Sequence, residues 1–461
     1  MRSIRNNFSL DNIIFYSLIL YILDVMLLGT GELTKIMGVS TRMIFFFICI
    51  VASVIPVFKR IKNYLTNLQL VFVILFFVLL FIAMILGVVN KNHMPILISD
   101  IKGFMHYLIV FPMVYILSTK EKAIRLCKII LNFAFGISLL CIFLSYFEFF
   151  PEHIHDWIYV FVNKYHLAYL SVLTENTIRV LLHSGTRMMA LGLFLAFGFF
   201  IIDKQNKKLR FVQMVCCLVA AFLSFARAIY LGLFLAVALL VVAIVVWYRD
   251  HLKHAIKTMS IVLGLSVILI TGLSITQQSN LFGVAWTRCM LVVDNGPAIT
   301  QKPNTGDTQT PGTEDADKDD SDKDLLNIHQ EEQSLVLRGT RKELAIKNFL
   351  SSPLIGKGLG VVNDVKYSTI EYFYLDLLSK MGVLGCVVFL VPAVLTAWVM
   401  IKNRKTYQVE QRWLALASWL ALVFMMIISY FNPCMNTSWG LMIYGLSIAT
   451  SQPWKQEELN G

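Results

Sequence analysis

Long apolar runs, interrupted by short polar segments that are mostly basic, set the pattern of this chain. Windows apolar enough to cross about 30 Å of hydrocarbon fall near residues 12–29, 42–58, 70–88, 97–118, 128–150, 186–202, 211–226, 228–248, 256–276, 383–401, 412–430 and 436–451. In lipid every backbone polar group must find its partner inside its own segment, so such runs predict helices. The expectation is an all-α polytopic membrane protein of about twelve transmembrane helices, with both termini on one side. Polar residues mark several spans: Asp24 in the first, Asp100 and Lys102 at the head of the fourth, Pro392 in the tenth. Arg2 and Arg5 precede an apolar run without a small-residue cleavage site, which reads as an uncleaved first helix.

The spans divide the chain into three parts. Residues 1–276 hold helices 1–9 and an outer loop at 151–185, rich in Trp157, Tyr159, Tyr165 and Tyr169. Residues 277–382 form a large loop between helices 9 and 10, and 383–461 hold helices 10–12 and a tail. Within the large loop, 301–324 is Thr, Pro, Gly and Asp rich with too little apolar surface to fold, so disorder is expected there. Its acidic run lacks the spaced glycine and terminal glutamate of a calcium loop. Helical periodicity returns over 334–350 and stops before Pro353, because proline disfavours the helical conformation in the residue ahead of it. No internal repeat is visible, which weighs against transporter folds built from inverted halves.

Composition sharpens this picture. With 57% hydrophobic residues, 15% charged and a mean hydropathy of +0.68, soluble globular enzymes and disulfide scaffolds are excluded. The net charge of +11 is spread over five short basic loops, around Lys59–Lys62, Lys120–Lys128, Lys204–Arg210, Arg249–Lys257 and Lys402–Arg412. An even number of spans separates each loop from the next, as the positive-inside rule requires of cytoplasmic loops. The charge therefore reports topology and not a nucleic-acid partner. Eight cysteines without CxxC spacing indicate neither a metal site nor a disulfide framework.

Candidate chemistry lies on the other side. Arg338, Arg341 and Lys342 stand at i, i+3 and i+4, one helical face with no acidic residue three or four positions away on that helix, and such a cluster suits an external anion. A solvated basic face competes with that reading. Gly356, Gly358 and Gly360 follow as G-x-G-x-G, which lacks the strand and helix start of a dinucleotide fingerprint and reads as a tight turn back to the membrane. Glu371 falls at the expected outer surface among aromatic residues, either as a proton acceptor or as a pairing residue. Arg187 opens the sixth span and Arg227 lies between the seventh and eighth, where cations are costly unless used or snorkelling.

These segments resemble the O-antigen ligase and polysaccharide polymerase superfamily of bacterial membranes. Arg338 is followed fifteen positions later by P-L-I-G-K-G-L-G from Pro353, like the family's arginine, helix and P-L-x-G-x-G-x-G. S-x-x-R at Ser224–Arg227 and Arg187 look like two further family arginines, and Y-L-x-x-L-x-x-x-G at Tyr374–Gly382 like the segment after the loop. The resemblance implies a membrane glycosyltransferase (GT-C-like) fold. It also implies transfer from a polyprenyl diphosphate-linked oligosaccharide to an acceptor sugar at the outer side of the bacterial cytoplasmic membrane. Arg187, Arg227, Arg338 and Arg341 would bind the diphosphate and Glu371 would be the catalytic base, with no metal and no cofactor. Where ligases carry a histidine-asparagine pair this chain has Glu371 and Tyr372, which favours a polymerase of repeat units over a ligase. The implied partners are the growing polysaccharide acceptor, the bilayer, and a flippase and chain-length regulator. The rival class is a polysaccharide flippase or secondary transporter, which leaves the arginine-bearing loop unexplained.

Overall fold

The computed structural model describes residues 9–27, 34–36, 38–165, 167–174, 177–182, 184–247, 249, 252–294, 340–362 and 372–454. Helix α1 (Leu10–Leu27) is followed by a two-stranded antiparallel hairpin, β1 (Lys35–Ile36) and β2 (Val39–Ser40), and by α2 (Thr41–Lys59). A short α3 (Ile61–Thr66) leads to α4 (Leu68–Val89), and α5 (Met94–Met105) continues through a 3-10 turn (His106–Ile109) into α6 (Val110–Ile116). After α7 (Lys120–Leu144) the expected outer loop contains α8 (Glu152–Lys164) and a second antiparallel hairpin, β3 (Ala168–Thr174) with β4 (Thr177–Leu182). Four further helices follow: α9 (Gly185–Ile202), α10 (Lys207–Leu223), α11 (Arg227–Trp247) and α12 (Leu252–Thr276). Helix α13 (Leu281–Asp294) precedes the undescribed stretch, and α14 covers 340–351. The chain closes with α15 (Phe373–Lys402), α16 (Val409–Ile428) and α17 (Ser438–Thr450).

The protein is a polytopic, essentially all-helical membrane protein. Among the described residues ten helices are long and apolar enough to span a bilayer: α1, α2, α4, α5 with α6, α7, α9, α11, α12, α15 and α16. The expected spans at 211–226 and 436–451 correspond to α10 and α17, which are only 17 and 13 residues long. At 1.5 Å per residue α17 reaches only about 20 Å. It is buried along its whole length, so protein and not lipid surrounds it. The expected span at 128–150 begins earlier, at Lys120, since K-E-K-A-I-R is itself a good helix start with Glu121 in the first turn.

Burial separates the centre of the bundle from its rim. In α9 and α16 the most apolar windows are 78% and 72% buried, against 22% in α2 and 28% in α4 and α12. Small residues bring the central helices together: a Cβ on Gly192 would lie 2.7 Å from the Ala134 Cβ of α7. The rim presents side chains such as Phe234 and Val242 of α11 outward, where lipid replaces a protein partner. Successive spans alternate in direction. The basic connections thus collect at one end, while Arg187, Arg227, the turn at 429–437 and the approach to α15 collect at the other.

Candidate active site

The segment after α14 is the least expected part of the fold. From Leu354 to Gly360 the chain forms a non-helical strap wedged against α4, α5 and α15. Gly356, Gly358 and Gly360 take φ values of +71°, +90° and +78°, and a Cβ on Gly358 would lie 2.2 Å from the Gly87 nitrogen of α4. Irregular backbone at membrane depth survives only when protein satisfies its polar groups. Here the five N–H groups from Gly356 to Gly360 all donate to protein acceptors, the first of them to the Ser352 carbonyl at 3.0 Å. Lys357 and Gly358 N–H donate to the Ser379 and Lys380 carbonyls (2.9 and 3.0 Å), Leu359 N–H to Ala83 (2.9 Å) and Gly360 N–H to Asp100 Oδ2 (2.9 Å). Asn92 Nδ2 donates to the carbonyls of Lys357 and Leu359 at 3.1 and 2.9 Å.

The strap also repairs a break in α15. Gly382, at φ +63°, interrupts that helix and leaves carbonyls before it and N–H groups after it without intrahelical partners. The strap supplies both sets: its N–H groups cover Ser379 and Lys380, while Val383 and Leu384 N–H donate to Pro353 and Leu354 at 2.8 and 3.1 Å. With these donors engaged, the G-x-G-x-G run is a packing device and not a phosphate cradle. A buried ion network fixes it: Lys380 Nζ lies 2.7 Å from Asp100 Oδ1 and 2.7 Å from Asp376 Oδ2. Asp100 thereby holds the strap through Gly360 and α15 through Lys380, and so joins α5 to both.

Beside this network the 429–437 turn is the second organising element. Arg187, in the first turn of α9, places its guanidinium carbon over the Trp439 ring, 4.7 Å from the centroid, and lies beside the Cys434 thiol. Burial raises that thiol above its ordinary value, while the Arg187 charge pulls it the other way. Ser184 anchors the start of α9 by donating to the Met26 carbonyl at 3.0 Å. Arg42, from α2, bonds Ser438 Oγ at 2.9 Å and pairs with Asp24 at 3.5 Å, and Thr34 and Thr41 also donate to Asp24. Tyr21 Oη contacts His106 Nδ1 at 3.1 Å. On the far side of the turn Phe373 N–H donates to the Ser429 carbonyl (3.3 Å), and the Tyr372 ring meets Tyr430.

The expected site residues divide accordingly. Arg187 is at the turn. Arg227 begins α11, and Gly232, little more than one helical turn further on, packs against Phe424 and Ile428 at the end of α16. Arg227 therefore starts its helix at the level where the 429–437 turn leaves α16. Arg341 is buried on α14, on the face of Ala345 and Asn348, and Asn348 accepts from Lys357 Nζ at 3.1 Å. Lys342, expected on the same face, is exposed, because adjacent residues on a helix diverge by about 100°. Arg338 and Glu371 lie outside the described residues. Among the described residues no three His, Cys, Asp or Glu side chains converge as metal ligands.

Sequence reasoning missed three groups. Arg179 of β4 donates from Nε to the Ser224 carbonyl at 3.1 Å, tying the hairpin to the turn that precedes Arg227. Arg42 was hidden as an ordinary basic flank of an apolar run. The pair Asp376 and Lys380, at i and i+4 in Y-L-D-L-L-S-K, was the legible part of the buried network, but its third member lies 280 residues away.

Residues 212–390 match the O-Antigen ligase family model. That stretch of the chain is similar to the O-antigen ligase family. No curated protein matches the chain. The matched stretch runs from α10 into the second half of α15, so it includes Arg227, Arg341, the strap and Lys380. Arg187 precedes it and reaches the same end of the bundle through α9.

Proposed function

We propose that the protein polymerises polyprenyl diphosphate-linked oligosaccharide repeat units into a cell-surface polysaccharide, on the outer side of the bacterial cytoplasmic membrane. In this reading both termini and the basic loops are cytoplasmic. The observation that carries it is the gathering of Arg187 and the start of α11 at Arg227 around one turn, 429–437, at the end of the bundle opposite the basic loops. Cations placed where charge develops stabilise a departing diphosphate more than the bound ground state. Arginine also offers forked donors that match its oxygens.

In the step itself the acceptor sugar hydroxyl attacks the anomeric carbon of the donor. The bond from that carbon to the diphosphate oxygen breaks, and the electron pair leaves with the lipid diphosphate, held by Arg187, Arg227, Arg338 and Arg341. Glu371 takes the hydroxyl proton as general base. No cofactor or metal enters this scheme.

An O-antigen ligase, transferring polysaccharide from the lipid carrier to a different acceptor, is the second reading, and the matched family supports it equally. Glu371 and Tyr372, in place of the histidine and asparagine of the ligase pattern, favour the polymerase. An acceptor panel tests the choice: purified protein is given donor with either lipid-linked repeat units or a lipid A-core-type acceptor. A polymerase extends only the first, and product on the second alone establishes the ligase.

A further inference from the structure

At the basic end of the bundle, remote from the arginine cluster, a cavity of about 240 Å³ is lined by Trp247, Arg404, Lys405 and Arg412. Its walls come from two separate places in the chain, the end of α11 and the turn between α15 and α16. The turn is built. Tyr407 Oη donates to the Ser451 carbonyl, Thr406 and Tyr407 N–H both donate to the Asn403 carbonyl, and Arg412 Nε donates to the Tyr407 carbonyl at 2.9 Å. Arg412 Nη2 donates to the Lys405 carbonyl at 3.5 Å, so two backbone carbonyls set the plane of its guanidinium.

Three cations therefore face one cavity, and no acidic side chain lines it among the described residues. Glu410, the nearest carboxylate along the chain, is occupied by Lys120 at 2.8 Å. Ordinary cytoplasmic loops carry basic residues for topology alone, and several here are visibly used otherwise: Arg60 stacks 4.4 Å from the Tyr115 ring, and Arg210 pairs with Asp203. The 404–412 group differs because its charges converge on space. A water molecule's share of liquid is about 30 Å³, so the cavity admits a group several times larger.

We infer that this pocket binds the phosphate headgroup of an anionic phospholipid in the adjoining leaflet. Phosphate oxygens match the three cations, and basic pockets between helices on the cytoplasmic side recognise such headgroups. A lipid is preferred to a free anion because the pocket adjoins lipid-facing surface. Trp247 and Trp398 mark interface depth, and exposed Val246, Val394 and Ile401 continue from it along α11 and α15 where acyl chains lie. This inference is independent of the glycosyl-transfer reading.

The test uses the full chain in vesicles of phosphatidylglycerol and phosphatidylcholine, extracted gently, with retained lipid counted by native mass spectrometry. Wild-type protein should retain phosphatidylglycerol selectively, and the Arg404→Gln, Lys405→Gln, Arg412→Gln triple variant should bind it roughly 100-fold more weakly. A control triple, Lys204→Gln, Lys207→Gln, Lys208→Gln, removes equal charge from another basic loop and should retain the lipid. The double variant Arg404→Gln, Lys405→Gln keeps Arg412 and its turn, and should show an intermediate loss at an unchanged melting temperature. Equal loss in both triples would reduce the effect to a general surface field and overturn the site. Displacement of the lipid by inorganic phosphate at millimolar concentration would assign the pocket to a free anion and overturn the lipid assignment.

Discussion

Arg187 is placed by a cation–π contact as well as by its helix: its guanidinium lies over the Trp439 ring, 4.7 Å from the centroid, while its helix is anchored through Ser184. Lysine keeps the charge but loses both the stacking plane and the fork. Arg187→Lys and Arg227→Lys should each lower transfer by roughly 10²–10³-fold, the usual loss of one donor to developing negative charge. Membrane content should stay at the wild-type level, as quantified by immunoblot beside an in vitro polymer assay. Glu371→Gln should lower turnover by about 10²–10⁴-fold with donor binding kept. Donor binding without turnover separates a base from a residue that only pairs with arginine, and full activity in that variant would remove the base. Arg187 and Arg227 were legible because a cation beside an apolar span is costly. Arg42 was not, since T-R-M-I-F-F-F reads as a common helix start and nothing local announces Asp24 or Ser438 as its partners.

The glycine strap behaves as an element in its own right, although it has no regular secondary structure. Gly358→Ala should displace the strap from α4, since its Cβ would meet the Gly87 backbone and its φ of +90° disfavours any side chain. Lys380→Met leaves Asp100 and Asp376 buried without their shared cation. Breaking a buried pair this way costs about 3–5 kcal/mol, so its thermal midpoint should fall well below that of the Arg187→Lys variant. A midpoint equal to wild type would show that the network does not hold the strap. Deletion of residues 302–321 should leave both stability and polymer yield unchanged, because that stretch has no apolar face to bury. The sequence showed that a tight turn was required between Pro353 and Gly360. It could not show the depth of the turn, because its hydrogen-bond partners are Ala83 and Asp100, each distant in the chain, and the Gly382 break that it repairs.

At the scale of the molecule, hydropathy was sufficient for the helical membrane architecture, since lipid imposes helices on any apolar run of sufficient length. Helix ends were less legible: α7 begins within a basic segment, and α17 is short because neighbouring helices enclose it. The small hairpins at 35–40 and 168–182 carry no hydropathy signature at all. The alternation of spans also fixes which residues share a side. Single cysteines at Arg338 and Lys208, in a background with accessible thiols removed, should label from opposite faces of sealed vesicles, and labelling from the same face would invert the topology. The most direct measurement is the product of the purified protein in vesicles with lipid diphosphate-linked repeat units. Wild-type protein should give a ladder spaced by one repeat unit, and the Arg187→Lys, Arg227→Lys double variant should leave the starting unit unextended. A ladder of equal yield from the double variant, or no extended product from wild type, would contradict the arginine clamp on a departing diphosphate.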